Sequence, residues 1–170
     1  HYQLKGTNPE RSLAVFGQLG FNISDSLKLE VGGRYTGSQS TNHVDVMQYG
    51  TYIRDDQTTK SDNFSYKVSL GWKVSPDNYL YGFAATGFRP GGLNVPVATT
   101  SLLDPFEPEK VTSFEGGWKA NFASGHVRTT IDGFYNRYKN FQVIIGYPNF
   151  PTFGDEINVP NTTKIYGFEA

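Results

Sequence analysis

The sequence has no cysteine in 170 residues, so neither a disulfide framework nor a thiolate metal site is available to it. Its 15 Lys and Arg nearly balance its 16 Asp and Glu, and this gives no reason to expect nucleic acid as a partner. No apolar run approaches the ~20 residues of a membrane-spanning helix. These absences argue against a disulfide-rich domain, a helical membrane span and a nucleic-acid-binding protein.

What the sequence does contain favours β structure, because 15% of its residues are aromatic and 19 are glycine. The stretch "NFSYKVSLGWKV", residues 63–74, alternates apolar and polar positions without a break. Period-two alternation is typical of a strand whose two faces meet different surroundings. The face with the even numbers carries only apolar side chains, which are Phe64, Tyr66, Val68, Leu70, Trp72 and Val74. The other face carries Lys67 and Lys73 among serines and a glycine.

Six further segments have strand character, and the connections between all seven alternate in length. The other segments are residues 11–23, 27–35, 79–88, 111–122, 126–145 and a last one from residue 163. Tight turns are predicted at residues 24–26, 75–78 and 123–125, and long polar loops at residues 36–62, 89–110 and 146–162. This strict alternation predicts an antiparallel up-and-down meander with every short turn at one end.

Two environments suit a sheet with one apolar face. In a soluble β-sandwich, here a carbohydrate-binding module, the apolar face packs on a second sheet. In a membrane barrel it meets lipid, and the polar face lines a wet interior. The barrel is favoured by the absence of charge from the apolar positions and by the one-sided distribution of short turns. It is also favoured by aromatics near the strand ends: Trp72, Tyr79, Tyr81, Trp118 and Phe122 by the short turns, and Tyr35, Phe64, Tyr66, Phe114 and Tyr135 toward the long loops.

The barrel interpretation assigns the charged positions to its lumen. The lumen-lining residues are predicted to be Lys67, Lys73, Glu115, Lys119, Arg128 and Asp132. Because their charges are of both signs, they suit a lumen filled by another polar protein element or by water rather than an ion-selective pore.

Three motifs, in order, resemble the β-barrel domain of TonB-dependent outer-membrane receptors. They are "GFRPGGLN" (residues 87–94), "FEPEKVTSFEGGWKANFASGHVRTTIDGFYNRYKNFQV" (106–143) and "KIYGFEA" (164–170). The resemblance implies a barrel of about 22 strands that holds a plug domain. Residues 1–170 then form a section of this all-β barrel domain, without the plug and without the barrel termini.

The family also implies a location and a set of partners. The location is the outer membrane of a Gram-negative bacterium. The partners are outer-membrane lipid, the protein's own plug domain, TonB acting through an N-terminal region, and a scarce nutrient, most often a ferric siderophore. The resemblance implies an active transporter rather than an enzyme, with no cofactor.

Candidate ligand-binding residues come from the long loops, because rings and guanidinium groups suit anionic, ring-bearing chelates. They are Tyr49, Tyr52, Arg54, Arg89, Tyr147, Phe150 and Phe153. The alternative for the aromatics is packing within the loops. For Arg89 the alternative is a side chain that reaches the membrane surface, next to glycines that permit a tight bend. No catalytic set is evident, and His1, His43 and His126 lack the spacing of a metal site.

Overall fold

The computed structural model describes residues 2–96, 105–147 and 150–170, with the side chains of residues 2, 147 and 150–153 left out of the description. Its strands are β1 Tyr2–Thr7, β2 Glu10–Asn22, β3 Leu27–Gln48, β4 Thr51–Ser75, β5 Asn78–Arg89, β6 Glu109–Phe122, β7 Val127–Lys139, β8 Gln142–Tyr147, β9 Phe150–Asn158 and β10 Thr163–Glu169. Within these ranges, no helix is long and apolar enough to cross a membrane.

The main sheet is the predicted antiparallel meander, which is confirmed. Its order is β1-β3-β4-β5-β6-β7-β10, and β2 also pairs with β3. The strands β1 and β2 lie end to end along β3 in one register, since Thr7 faces His43 and Glu10 faces Ser40. Pro9 interrupts this line because proline has no N–H to donate to the ladder, although its carbonyl still accepts a bond from Thr41 N at 3.2 Å.

All three short turns lie at one end of the sheet, as predicted, and we call this the turn end. In the first, the Ser24 hydroxyl accepts a hydrogen bond from the backbone N of Leu27 at 3.1 Å. In the third, Ala123, Ser124 and Gly125 all have left-handed φ angles of 51°, 54° and 87°. The opposite end, which we call the loop end, holds the connections β3–β4, β5–β6 and β7–β10.

The prediction of a long loop over residues 36–62 is wrong, because β3 and β4 form one hairpin from Leu27↔Trp72 to Gln48↔Thr51. Tyr49 (φ 48°) and Gly50 (φ 87°) close it with two left-handed residues, the geometry of a tight hairpin turn. The sequence pattern missed it because this outer half is largely polar on both sides. Where water can reach one face and polar loops cover the other, apolar alternation is not required.

The single strand predicted over residues 126–145 is also wrong. β7 ends at Lys139, and Asn140 takes a left-handed φ of 53° that turns the chain out of the sheet. β8 and β9 then form a separate two-stranded hairpin, which we call the docked hairpin. The chain returns as β10, which pairs with β7 so that Tyr166 faces Tyr135.

The register sorts the side chains onto two faces, because residues directly opposite each other point the same way. One face, the apolar face, includes Leu13, Val15, Leu19, Phe21, Leu29, Val31, Tyr35, Phe64, Tyr66, Val68, Leu70, Trp72, Leu80, Phe114, Trp118, Phe122, Val127, Ile131, Tyr135, Tyr166 and Phe168. Most of these side chains are exposed. The sandwich alternative is wrong, since no second sheet covers this face in the part of the chain that the structure describes.

The other face, the polar face, is covered near the loop end by described residues. There Val44 and Val46 of β3 and Ile53 of β4 are buried, with exposures of 5%, 0% and 8%. Val95, from the segment that follows β5, packs on them. The segment after β5 therefore folds back over the polar face of the β3–β4 hairpin.

Candidate functional site

The six charged residues predicted to line a lumen share the polar face. Lys67 and Lys73 alternate with the apolar positions of β4, and Glu115 and Lys119 do so on β6. On β7, Arg128 pairs with Asn121 and Asp132 with Gly117, on the same side. The structure brings these residues together, and their exposure to a barrel lumen stays a prediction.

Aromatic rings lie among these cations. The ammonium of Lys67 lies 4.7 Å from the centre of the Phe83 ring, and that of Lys119 lies 5.2 Å from the centre of the Tyr81 ring. The hydroxyl of Tyr81 donates to Glu115 Oε1 at 3.1 Å. The polar face is therefore a mixed surface of lysine, carboxylate and ring.

The prediction that Tyr79 and Tyr81 belong to an outward aromatic band is wrong, because both lie on the polar face. Tyr79 pairs with Lys73 and Lys119, and the Tyr81 ring covers Gly117 so closely that a Cβ there would overlap it. The error has a clear source: β5 reads "NYLYGFAATGFR", which is apolar or aromatic at both odd and even positions. Only its neighbours decide which side faces which surroundings.

Other aromatics do mark the two borders of the apolar face. At the turn end, the indole of Trp118 donates to Asn78 Oδ1 at 3.0 Å. At the loop end, the Tyr35 hydroxyl donates to Asp62 Oδ2 at 3.3 Å. Beyond this second border the same side of the sheet becomes charged, with Arg11, Asp62, Lys110, Arg137 and Lys164. Rings with one polar end at the edge of an uncharged band suit a membrane interface.

The candidates from the first predicted loop do not join the polar face. Tyr49 is at the hairpin tip and 73% exposed. Tyr52 and Arg54 point to the side of the apolar face, beyond its charged border, where the Tyr52 hydroxyl donates to Asp45 and Arg54 Nε lies 2.7 Å from Asp56 Oδ2. Their role in ligand binding stays a prediction. Tyr52 and Arg54 lie on the opposite side of the sheet from Arg89, so the structure does not bring them together with it.

Hydrogen bonds shift the pKa of two residues in this outer part of the hairpin, Asp56 and Tyr52. Bonds from His43 Nδ1, at 2.7 Å, and from Arg54 lower the pKa of Asp56 below its ordinary value. The hydrogen bond to Asp45 raises the pKa of Tyr52. The network is therefore a set of solvent-exposed polar contacts in the outer half of the hairpin.

A buried polar cluster, which sequence reasoning missed, lies on the opposite side of the same hairpin. Asp55 is 1% exposed, and its Oδ2 accepts from Asn42 Nδ2 at 2.8 Å. Asn42 in turn accepts from Asn8 Nδ2 at 2.6 Å and donates to the carbonyl of Asn94 at 3.3 Å. The cluster joins the link between β1 and β2, the strands β3 and β4, and the segment after β5. No periodic apolar pattern marks it in the sequence.

Amide side chains attach the docked hairpin to the connection between β5 and β6. Asn94 donates to the carbonyl of Glu156 at 2.8 Å and accepts from its backbone N at 2.9 Å. Asn158 makes the same pair of bonds with the backbone of Glu107, at 2.9 and 2.6 Å. The backbone N of Gln142 donates to Glu109 Oε2 at 2.8 Å. Each asparagine side chain thus bonds both backbone groups of one residue, as a neighbouring strand would.

Arg89 lies on the polar face and not on the apolar face, so the alternative in which it reaches the membrane surface is wrong. Its Nη2 lies 2.6 Å from Glu156 Oε1 of the docked hairpin. The nearby glycines allow close approach rather than a left-handed bend, since a Cβ on Gly91 or Gly92 would overlap Phe106. Among the described glycines, only Gly50 and Gly125 have positive φ.

The remaining candidates, Tyr147, Phe150 and Phe153, lie at the tip of the docked hairpin, and their side chains are outside the described residues. Nor do the described side chains include a group of three or more His, Cys, Asp or Glu that could hold a metal ion.

Comparison with known proteins identifies the class. The family model for the TonB dependent receptor-like β-barrel matches residues 3–170. The chain belongs to this family, whose members are outer-membrane β-barrel receptors of Gram-negative bacteria and not enzymes.

The individual proteins that match the chain share a quarter or less of its residues. The chain is 25% identical over 142 residues to the pesticin receptor of Yersinia pestis, a match that covers 83% of this chain and 21% of the relative. The structure superposes on the ferric yersiniabactin uptake receptor FyuA of Yersinia pestis with a TM-score of 0.82 and 22% identity, covering 99% of this chain and 24% of that one.

A third match is the copper transporter OprC, with a TM-score of 0.75 and 15% identity over 94% of this chain and 25% of the other. These low identities establish the shared fold alone. The chain spans about a fifth of the length of the curated relatives that it matches, such as the pesticin receptor.

Proposed function

We propose that the chain is a section of the barrel wall of a receptor that imports a ferric siderophore across the outer membrane with energy supplied through TonB. The observation that carries this proposal is the family match over residues 3–170. In this proposal, residues 1–170 contribute wall and extracellular loops, while a plug domain and the contact with TonB belong to other parts of the receptor.

The two faces support a definite orientation in the membrane. The apolar face suits lipid because its central band carries no charge, and a Lys or Arg at the midplane costs ~2–4 kcal/mol. The polar face, with Lys67, Lys73, Lys119 and Arg128, suits a wet lumen that holds the plug. The turn end then faces the periplasm, and the loop end, with the docked hairpin, faces the outside of the cell.

Iron is favoured over copper as the transported metal by the composition of the segment. Soft thiolate and thioether ligands select Cu(I). These 170 residues contain no cysteine and one methionine, so this section of the wall offers little to a copper ion. The FyuA likeness supports a ferric siderophore as the cargo, because that protein is an uptake receptor for one.

The test is uptake of radioactive iron by a Gram-negative host that lacks its own siderophore receptors and expresses the full receptor. We expect uptake from a ferric siderophore, loss of uptake when TonB is deleted, and no uptake of radioactive copper. Uptake that persists without TonB, or that is confined to copper, would contradict the proposal.

A further inference from the structure

A cavity of about 550 Å³ lies at the loop end of the polar face. Its floor is a patch of hydroxyl groups on three neighbouring strands, Ser12, Ser38, Ser40, Thr59 and Ser61. Arg89, Glu156 and the ring of Phe106 lie across from this floor. The cavity therefore combines hydroxyl donors, a flat apolar surface and one cation.

Arg89 enters this cavity with most of its donors unused. It makes one ion pair, from Nη2 to Glu156 Oε1 at 2.6 Å, and no hydrogen bond to the residues that the structure describes. Its side chain is 55% exposed, whereas that of Glu156 is 18% exposed. A guanidinium has five N–H donors in a planar fork that matches a carboxylate in a two-bond geometry. A single contact leaves this capacity open.

The Glu156 carboxylate can leave Arg89 without detaching the docked hairpin. Asn94 holds Glu156 by its backbone N and carbonyl, at 2.9 and 2.8 Å, and neither bond uses the carboxylate. At the rim, Glu10 lies on the polar face, whereas Arg11, the next residue of β2, points to the opposite side of the sheet. The local preference of the cavity for an anion therefore rests on Arg89.

We propose that this cavity binds a small molecule through a carboxylate, and that this carboxylate replaces Glu156 on Arg89. Glu156 occupies the position that the ligand group takes in the bound state. This inference rests on the proposed function and extends it, because it assigns a carboxylate as a group by which the imported molecule is recognised. The Phe106 ring then offers a stacking surface to an aromatic carboxylate.

The experiment uses the purified full receptor and two probes of the same shape, benzoate and the neutral benzamide. Binding is measured by ligand-observed NMR titration. We expect benzoate to bind the wild type better than benzamide does. Arg89→Gln should weaken benzoate binding about tenfold, because charge-assisted hydrogen bonds are lost. Arg89→Lys keeps the positive charge but lacks the planar guanidinium, so its affinity for benzoate should lie between those of the wild type and Arg89→Gln.

Removing the internal competitor should act in the opposite direction. Glu156→Gln should tighten benzoate binding about tenfold, since Arg89 is then free and the carboxylate no longer repels the probe. Glu107→Gln is the matched control, because it removes the same charge from a side chain that does not contact Arg89. Circular dichroism confirms that each variant is folded.

Three results would overturn the inference: equal binding of benzoate and benzamide, unchanged binding in Arg89→Gln, or weaker binding in Glu156→Gln. The proposed function fails separately, by absence of TonB-dependent iron uptake. A receptor that imports iron but shows no Arg89-dependent benzoate binding overturns only the present inference.

Discussion

At the scale of single residues, the choice between lipid and water is made by alternate positions of one strand. Val68 faces Val31 on the apolar face, while the adjacent Ser69 faces Glu30 on the polar face. Neighbours in sequence thus meet opposite surroundings. The same substitution at these two positions is therefore a direct comparison of the two faces.

We expect Val68→Arg to destabilise the membrane-inserted receptor by ~2–4 kcal/mol, because it places a charge in the uncharged band. Ser69→Arg is the matched control and should have little effect, since its side chain points to the polar face beside Glu30. Urea unfolding of the receptor in lipid vesicles measures both. Equal losses at the two positions would show that the faces are assigned wrongly.

The contacts of Asp56 predict a pH dependence of the outer half of the β3–β4 hairpin. Bonds from His43 and Arg54 hold its folded-state pKa below the ordinary value of 3.8. The stabilisation is therefore fully present above pH ~4 and is lost as the pH falls through the lowered folded value. Because the group is solvent-exposed, the effect is local and small.

Hydrogen exchange of amides in residues 43–56, compared between the wild type and Asp56→Asn at each pH, measures this effect. The wild type should be better protected at neutral pH, and the difference should shrink below pH ~4. A difference that grows on acidification would contradict the assignment of Asp56 as the stabilising group.

At the scale of the elements, the docked hairpin is a unit joined to the loop end by a few amide side chains. Asn158 makes three hydrogen bonds, to both backbone groups of Glu107 and to the carbonyl of Asn140. A hydrogen bond contributes ~1 kcal/mol net. Asn158→Ala should therefore speed amide exchange in β8 and β9 by about tenfold or more and leave β3 to β7 unchanged.

Asn63→Ala is the control for this prediction. Among the described residues its side chain bonds only Ser65 Oγ, on the same strand, at 2.8 Å, so exchange in β8 and β9 should not change. If Asn158→Ala also left their exchange unchanged, the asparagine contacts would not be what holds the hairpin in place.

The tip of the docked hairpin carries a prediction that rests on sequence. In the sequence, Tyr147, Phe150 and Phe153 are close to Pro148 and Pro151, and proline reduces the ordering entropy of a binding loop. If each ring contributes ~1 kcal/mol by stacking, changing all three to Ala should weaken siderophore binding ~10²-fold. Binding to whole cells with normal surface expression measures it. Unchanged affinity would remove this tip from the ligand site.

The sequence predicts the elements well where one face is apolar, and poorly where both faces are polar. The alternation of Phe64 to Val74 is sufficient to define β4 in its inner half. The outer half, from Thr51 to Asn63, has no such pattern, because it is held by backbone pairing, by a few buried apolar side chains and by polar contacts such as that of Asn42 with Asp55. The docked hairpin was missed for a related reason, since the left-handed Asn140 that separates it from β7 follows an uninterrupted strand pattern.

The candidate site could be predicted only in part. The polar face follows from period-two spacing, and the guanidinium chemistry of Arg89 makes it a candidate from the sequence alone. Its partner Glu156 is distant in the chain, and the pairing depends on how the docked hairpin returns to the segment after β5. Such contacts between polar loops leave no periodic signal in one sequence.

At the scale of the whole molecule, the described strands form an open sheet with one apolar face and one polar face between the turn end and the charged border. β1 and β2 form one edge and β10 the other, so both edges have backbone groups available for further strands. In the barrels of this family such edges are paired. The central claim is that, in the complete receptor, the apolar face touches lipid and the polar face does not.

The most direct measurement places single cysteines at successive positions from Phe64 to Val74 in the full receptor, in a cysteine-free background. Each cysteine carries a fluorophore, and the receptor is embedded in vesicles of brominated lipid, which quenches on contact. We predict strong quenching at even positions, weak quenching at odd positions, and no alternation from Thr51 to Ser61, which lie beyond the charged border. Uniform quenching, or quenching strongest at Lys67 and Lys73, would contradict the account.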